Sequence, residues 1–100
     1  MPQGNVFNTN RKSNLGKQVV FSFYAPQAKK VELAGTFNDW SPSDNPLNRD
    51  KRGKWTIKLK LASGCYEYRF LVDDTWQNDQ RPVKCVPNAF GSWNCVIEIT

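Results

Sequence analysis

VELAGTFNDW, Val31 to Trp40, and CYEYRFLVDDTW, Cys65 to Trp76, are two versions of one pattern. In each, apolar residues alternate with others as in a half-buried strand, and the strand runs into a turn of acidic and small residues. Each turn closes on a tryptophan. A large aromatic just past a strand end is poorly placed to fill a core and well placed to face solvent. Both tryptophans keep polar company: Asn38, Asp39 and Ser41 beside Trp40, and Asp73, Asp74, Gln77, Asn78 and Asp79 beside Trp76. A flat apolar face fringed by hydrogen-bonding groups suits a sugar ring, one face of which is a patch of C–H bonds while its edge is hydroxyls.

Outward from these stretches the period stays at two. Val19, Phe21 and Phe23 make one face of a strand that ends at Ala25-Pro26. Val31 and Leu33 follow, then a long connection marked by Asn45-Pro46 and Arg52-Gly53. Trp55, Ile57, Leu59 and Leu61 form the next strand, and this alternation makes Trp55 a core residue. After a tight turn at Ala62-Ser63-Gly64 come Tyr66, Tyr68, Phe70 and Val72. A short strand is expected within Val83–Val86, between Pro82 and Pro87, and a last one through Cys95–Ile99, with either alternate set of side chains facing inward. No segment carries an apolar helical stripe. Short strands with frequent turn signals predict an all-β sandwich, with an OB-like barrel as the alternative. Residues 1–16, polar and without periodicity, read as a flexible arm, and residues 17–100 as one β-sandwich module.

A chain of 100 residues is one domain. Its content of Leu, Ile, Val, Phe, Tyr and Trp supports a real core. No run approaches the ~20 apolar residues of a membrane span. The opening MPQGNVFNTNRKSNLGK has no apolar stretch or small-residue cleavage site, which predicts a cytoplasmic protein. The three cysteines, Cys65, Cys85 and Cys95, cannot all pair and match no zinc spacing, so they read as reduced thiols packed as small apolar residues. The net charge of +5 is concentrated in Arg11, Lys12 and Lys17 and in Lys51–Lys60. In the second cluster the lysines alternate with apolar residues, as the solvated face of an ordinary strand does. A nucleic-acid footprint wants a contiguous basic face with exposed aromatics instead.

The chain contains no histidine, so Ser-His and Cys-His pairs are excluded. Asp73 and Asp74 are adjacent in a turn and read as turn-formers, not as a carboxylate pair spanning a glycosidic bond. The acids after Asp73 do not fit a calcium loop. The sequence therefore predicts no catalysis, no cofactor and no metal.

At LAGTFNDW the chain resembles the family-48 carbohydrate-binding modules. These are the glycogen-binding domains of AMP-activated protein kinase β subunits and the accessory N-terminal domains of α-glucan branching and debranching enzymes. The resemblance runs from about Gln18 to Thr100 and rests on FSFYAPQAKKVELAGTFNDW, GKWTIKLKL, GCYEYRFLVDDTW and FGSWNCVIEI in that order. It implies an immunoglobulin-like (early-set) antiparallel β-sandwich that binds α-1,4-linked glucans without turning them over. It further implies Trp40 and Trp76 as stacking platforms, Arg69 and Asn94 as hydrogen-bonding partners of sugar hydroxyls, Phe90 as an apolar brace, and Ser92 as a small hydroxyl residue nearby. The chain departs from the family at Asp74, where glycine is common, and at Arg69, where lysine is. Trp93 is a further departure, either a core plug or a third platform. The Pro42–Arg52 connection is longer than in kinase β subunits and could cover or extend the site.

Three functions compete. The first is an α-glucan-binding module, partnered with polysaccharide or oligosaccharide and associated with a glycoside hydrolase or branching enzyme. The second is a regulatory domain of a kinase or α-amylase-superfamily enzyme that docks a protein partner with sugar binding reduced or lost. The platform tryptophans argue against that loss. The third is single-strand nucleic-acid binding, against which stand Asp39, Asp73, Asp74 and Asp79, whose charges would repel phosphates near the tryptophans. The expected partners are thus a glucan and, in the second reading, a protein, with no nucleic acid and no membrane.

Overall fold

A computed structural model describes residues 16–100. The strands are β1 (Lys17–Tyr24), β2 (Val31–Gly35), β3 (Asn48–Arg49), β4 (Lys54–Leu61), β5 (Gly64–Val72), β6 (Thr75–Gln77), β7 (Cys85–Pro87) and β8 (Trp93–Ile99). Single 3-10 turns at Thr36–Asn38 and Pro42–Asp44 are the only helical elements among the described residues. β1, β4 and β3 form one antiparallel sheet in that order. The second runs β2-β5-β8-β7, with β6 paired to β5. The expected arm at residues 1–16 lies outside the described residues except for Gly16.

The period-two pattern places the core. Phe21 and Phe23 on β1 and Trp55 and Leu61 on β4 face Leu33, Tyr68, Phe70, Cys95 and Ile99 of the larger sheet, and all are buried. Phe21 meets Tyr68 edge-on with centroids 5.1 Å apart, and Phe23 packs on Phe70 at 5.0 Å. Such pairs add about 0.5–1.5 kcal/mol beyond the area they bury. Trp55 is core, and its indole N–H donates to the Ala25 carbonyl at 2.9 Å. On β8 the inward set is Cys95, Ile97 and Ile99. This is an antiparallel β-sandwich of the early-set kind.

The long connection after Trp40 does not cross the site. Leu33 N–H donates to Asn45 O at 3.0 Å and Leu47 N–H to Val31 O at 2.8 Å, so Asn45–Leu47 lines the free edge of β2 before the chain passes to the other sheet as β3. β3, which the sequence does not announce, pairs only through Asn48 and Arg49. β7 begins two residues later than expected and includes Pro87. Asn88 N–H donates to Ser92 O and Val96 N–H to Lys84 O, so the alternation of the antiparallel ladder puts Pro87↔Trp93 at a non-hydrogen-bonded position. A residue without an N–H costs nothing there.

The cysteines differ from their expected packing: Cys95 is buried, whereas Cys65 and Cys85 are exposed, and all three are free. Cys65 shares the outer face of β5 with Glu67 and Arg69, and Cys85 lies on the three-residue edge strand β7.

Candidate carbohydrate-binding site

The outer face of the larger sheet carries Glu67, Arg69 and Leu71, because Tyr68, Phe70 and Val72 take the inner face of β5. β6 sits beside the end of β5 and pairs Trp76 with Leu71, which brings the indole to that same outer face. β8 runs along the same edge of β5 and pairs Val96 with Glu67, so Asn94 lies on this face too. One face therefore collects side chains from three strands.

The two tryptophan turns are built differently. At Trp40 the organiser is Asn38. Its Oδ1 accepts from Gly35 N at 3.0 Å and Ser41 N at 3.2 Å, and its Nδ2 donates to Leu33 O at 3.0 Å and Asn45 Oδ1 at 2.6 Å. Trp40 N–H then reaches Gly35 O at 2.9 Å. Asp39 and Trp40 both hold left-handed backbone, φ 54° and 58°, which is uncommon for a bulky residue. Gly35 permits the close approach: a Cβ there would stand 2.4 Å from Glu67 O.

At Trp76 the organiser is a two-residue hairpin. Asp73 and Asp74 have φ 46° and 67°, the signs a type I′ turn requires, and Val72 pairs with Thr75 across it. Asp74 thus takes, within this turn, the left-handed backbone that glycine adopts most readily. Asp73 Oδ1 also accepts from the N–H groups of Lys29 and Lys30, each at 2.9 Å. Trp76 therefore lies within a short strand, not just beyond one.

Past β6, Asn78 Oδ1 accepts from Arg69 Nε at 2.6 Å. This fixes the guanidinium and leaves its terminal nitrogens without a protein partner among the described residues. No carboxylate there lies within salt-bridge distance of Arg69, which sets aside a plain ion-pair role. Next to Asn78, Asp79 Oδ2 accepts from Tyr68 OH at 2.7 Å, and its two oxygens take the Arg81 fork at 3.1 and 2.9 Å. Burial works against charge on Asp79, but the bonds from Arg81 and Tyr68 prevail and hold its carboxyl below the usual value of 3.8. Burial, with the Asp79 carboxylate adding to it, pushes the Tyr68 phenol well up.

These elements enclose a trough of about 670 Å³ lined by Trp40, Arg69, Trp76, Phe90 and Asn94 together with Glu67, Pro87, Asn88 and Ala89. Five of the six sequence candidates meet there. Ser92 is not among the lining residues; its N–H donates to Asn88 Oδ1 at 3.0 Å, at the foot of the β7–β8 loop. Phe90, at the loop tip, is 92% exposed. Trp93 is 53% exposed, which removes the core-plug reading, and strand alternation puts it on the face of β8 opposite Asn94.

Four lining residues escaped the sequence reading, and two of them, Glu67 and Asn88, have polar side chains that organise the site. Glu67 Oε1 accepts from Asn94 Nδ2 at 3.0 Å, and Asn94 Oδ1 accepts from Asn88 Nδ2 at 3.0 Å. Asn88 Oδ1 in turn holds the N–H groups of Phe90 and Ser92. Glu67 was legible, since it lies two before Arg69 on the same strand face. Asn88 was not, because its part depends on how the loop folds back.

The arrangement can stack flat apolar rings and exchange hydrogen bonds with neutral hydroxyls. Among the described residues no group of three or more potential ligands could hold a metal ion. A β-sandwich showing aromatics and amides on one outer sheet face has the build of a binding module.

Residues 17–100 match the family described as the glycogen recognition site of AMP-activated protein kinase, and the chain belongs to that family of carbohydrate-binding modules. Protein FLOURY ENDOSPERM 6, chloroplastic, of rice is 31% identical over 83% of this chain, which spans 15% of the rice protein. The β-1 subunit of 5′-AMP-activated protein kinase from pig is 39% identical over 71% of the chain, 55% of that subunit. The 1,4-α-glucan branching enzyme GlgB of Lactobacillus acidophilus is 42% identical over 70% of the chain and 10% of the enzyme. The chain thus spans from a tenth to about half of these relatives. Among the described residues no helix is long and apolar enough to cross a membrane.

Proposed function

We propose that this chain binds α-1,4-linked glucans, as glycogen, starch or maltooligosaccharides, without catalysing their conversion. The observation that carries the reading is the convergence of Trp40, Trp76, Arg69 and Asn94 on one trough. In this reading the two indoles stack on successive sugar faces. Arg69, held at Nε, donates from its terminal nitrogens to hydroxyls. Asn94 has one amide hydrogen and one lone pair committed to Glu67 and Asn88, and the remaining donor and acceptor meet a hydroxyl pair. Phe90 overhangs the trough and covers a ring from above. Ser92 borders it at the loop foot, where its hydroxyl meets a sugar that runs past Phe90.

Such a site recruits a polymer to whatever chemistry accompanies it, in a cytoplasmic setting. A larger protein containing an α-glucan-active enzyme, or a partner that contains one, fits the short share of each relative that the module occupies.

Titration calorimetry with maltoheptaose tests this, alongside tryptophan fluorescence. A shallow open site predicts about −4 to −8 kcal/mol, that is, roughly millimolar to micromolar affinity, and a shifted emission as an indole is desolvated. Saturating sugar that yields neither heat nor spectral change would favour the docking-only alternative.

A further inference from the structure

Cys85 and Cys95 stand directly opposite one another on β7 and β8. Lys84↔Val96 and Asn88↔Ser92 carry the ladder hydrogen bonds, so the cysteine pair occupies a non-hydrogen-bonded position. Cα atoms at such positions are about 4.5 Å apart, with both side chains on one face. That separation lies within the range of about 4.4–6.8 Å that a disulfide spans, near its short end. Cys85 is exposed on the edge strand and Cys95 is buried. The Asp79 amide donates to Cys95 Sγ at 3.2 Å. Burial pushes the Cys95 thiol up, and the adjacent Cys85 thiol adds to the effect.

We propose that Cys85 and Cys95 form a reversible thiol–disulfide modification site whose co-substrate is a small disulfide such as oxidised glutathione, and that oxidation tightens the glucan site. Cys85, the accessible thiol, ionises and attacks one sulfur of the oxidant, forming a mixed disulfide and expelling one glutathione thiolate. Cys95 then gives up its proton and attacks Cys85 Sγ, and the second glutathione leaves. Two protein thiols are oxidised to one disulfide while one oxidised glutathione is reduced to two thiols. The reverse exchange restores the pair. With Cys85 exposed on the edge strand, the bond stays open to the reverse exchange, which suits a switch better than a permanent staple.

The consequence for binding follows from position. β7 has three residues and joins β8 through the loop that carries Asn88 and Phe90. Locking Cys85 to Cys95 holds this edge strand in register one residue from Asn94. The loop then loses less freedom when sugar arrives, and preordering of this kind raises affinity. This half rests on the glucan-binding reading, while the disulfide itself does not.

The reduced protein, equilibrated with graded ratios of reduced and oxidised glutathione and then alkylated, is mapped by peptide mass spectrometry. The expected product is a Cys85–Cys95 linked peptide, two hydrogen atoms lighter, reversed by dithiothreitol, with Cys65 alkylated or carrying glutathione and never linked to another cysteine. Cys85→Ser, at an exposed position, should abolish the link, and Cys65→Ser should leave it intact. No linked peptide at any ratio, or glutathione retained on Cys85 without resolution, would overturn the site. In the same samples maltoheptaose should bind at least about threefold more tightly to the oxidised form. Equal affinities in the two forms would overturn the regulatory half, and absence of sugar binding to either form would count against the glucan reading while the peptide map still judged the disulfide.

Discussion

Trp40 and Trp76 line one trough from two unlike supports. Trp76 rides on a strand of ordinary backbone geometry, delivered by a two-residue hairpin whose shape is set by Asp73 and Asp74. Trp40 sits in left-handed backbone, held by the side chain of a single asparagine. A ladder spreads its support over many backbone groups, whereas a hub concentrates it. The two halves of the trough should therefore fail in different ways.

The largest effect is expected at the hub. Asn38→Ala removes four hydrogen bonds and strands Gly35 N–H and Leu33 O, for a loss of about 4 kcal/mol at roughly 1 kcal/mol net per bond. Denaturant melts measure it, and a loss below about 1 kcal/mol would mean that the turn holds without its hub.

Next come the two tryptophans themselves. Trp40→Ala and Trp76→Ala should each weaken maltoheptaose binding by about 2 kcal/mol, or roughly thirtyfold, with near-native melts. If only one matters, the other indole is a wall of the trough and not a platform.

Acid should separate the two sides. The depressed Asp79 carboxyl contributes stability that is full above its ordinary value of 3.8 and is lost as pH falls through the lower, folded value. Asp79 follows the Trp76 hairpin, so amide exchange below pH 4 should quicken in residues 75–81 before residues 35–41. Simultaneous loosening would show that the brace serves the whole fold.

Within the hairpin the two aspartates should respond oppositely. Asp74→Gly relieves left-handed strain and should stabilise by about 0.5–1 kcal/mol. Asp73→Gly sacrifices the bonds to Lys29 and Lys30 and should destabilise. Smallest of all, raising salt from about 50 to 500 mM should alter glucan affinity by less than about twofold, against orders of magnitude for a phosphate-binding site.

Much of this was legible in the sequence, because period-two alternation reports which face of a strand is wet. Phe21, Phe23, Trp55 and Phe70 announced the core in that way, and the family motifs carried five residues that share the trough. β3 and β6 stayed silent, since strands of two or three residues have no period to read. Asn38, Asn78 and Asn88 were silent for another reason. An asparagine's role is set by the groups around it, and those come from segments distant in sequence or from a loop's final shape. The sequence leaves open whether the Pro42–Arg52 connection covers or extends the site, because sequence spacing gives length and not direction.

The strip Asn45–Leu47 has a consequence for how the module coexists with other chains. An open strand edge invites another strand to add to it, and repeated addition leads to aggregation. Here the β2 edge already carries its own chain, while the opposite edge ends in a short β7 that contains a proline. Both ends of the larger sheet are thereby closed to templated growth. Strand addition to the module is thereby steered to the smaller sheet, where the eight-residue β1 is the outer strand.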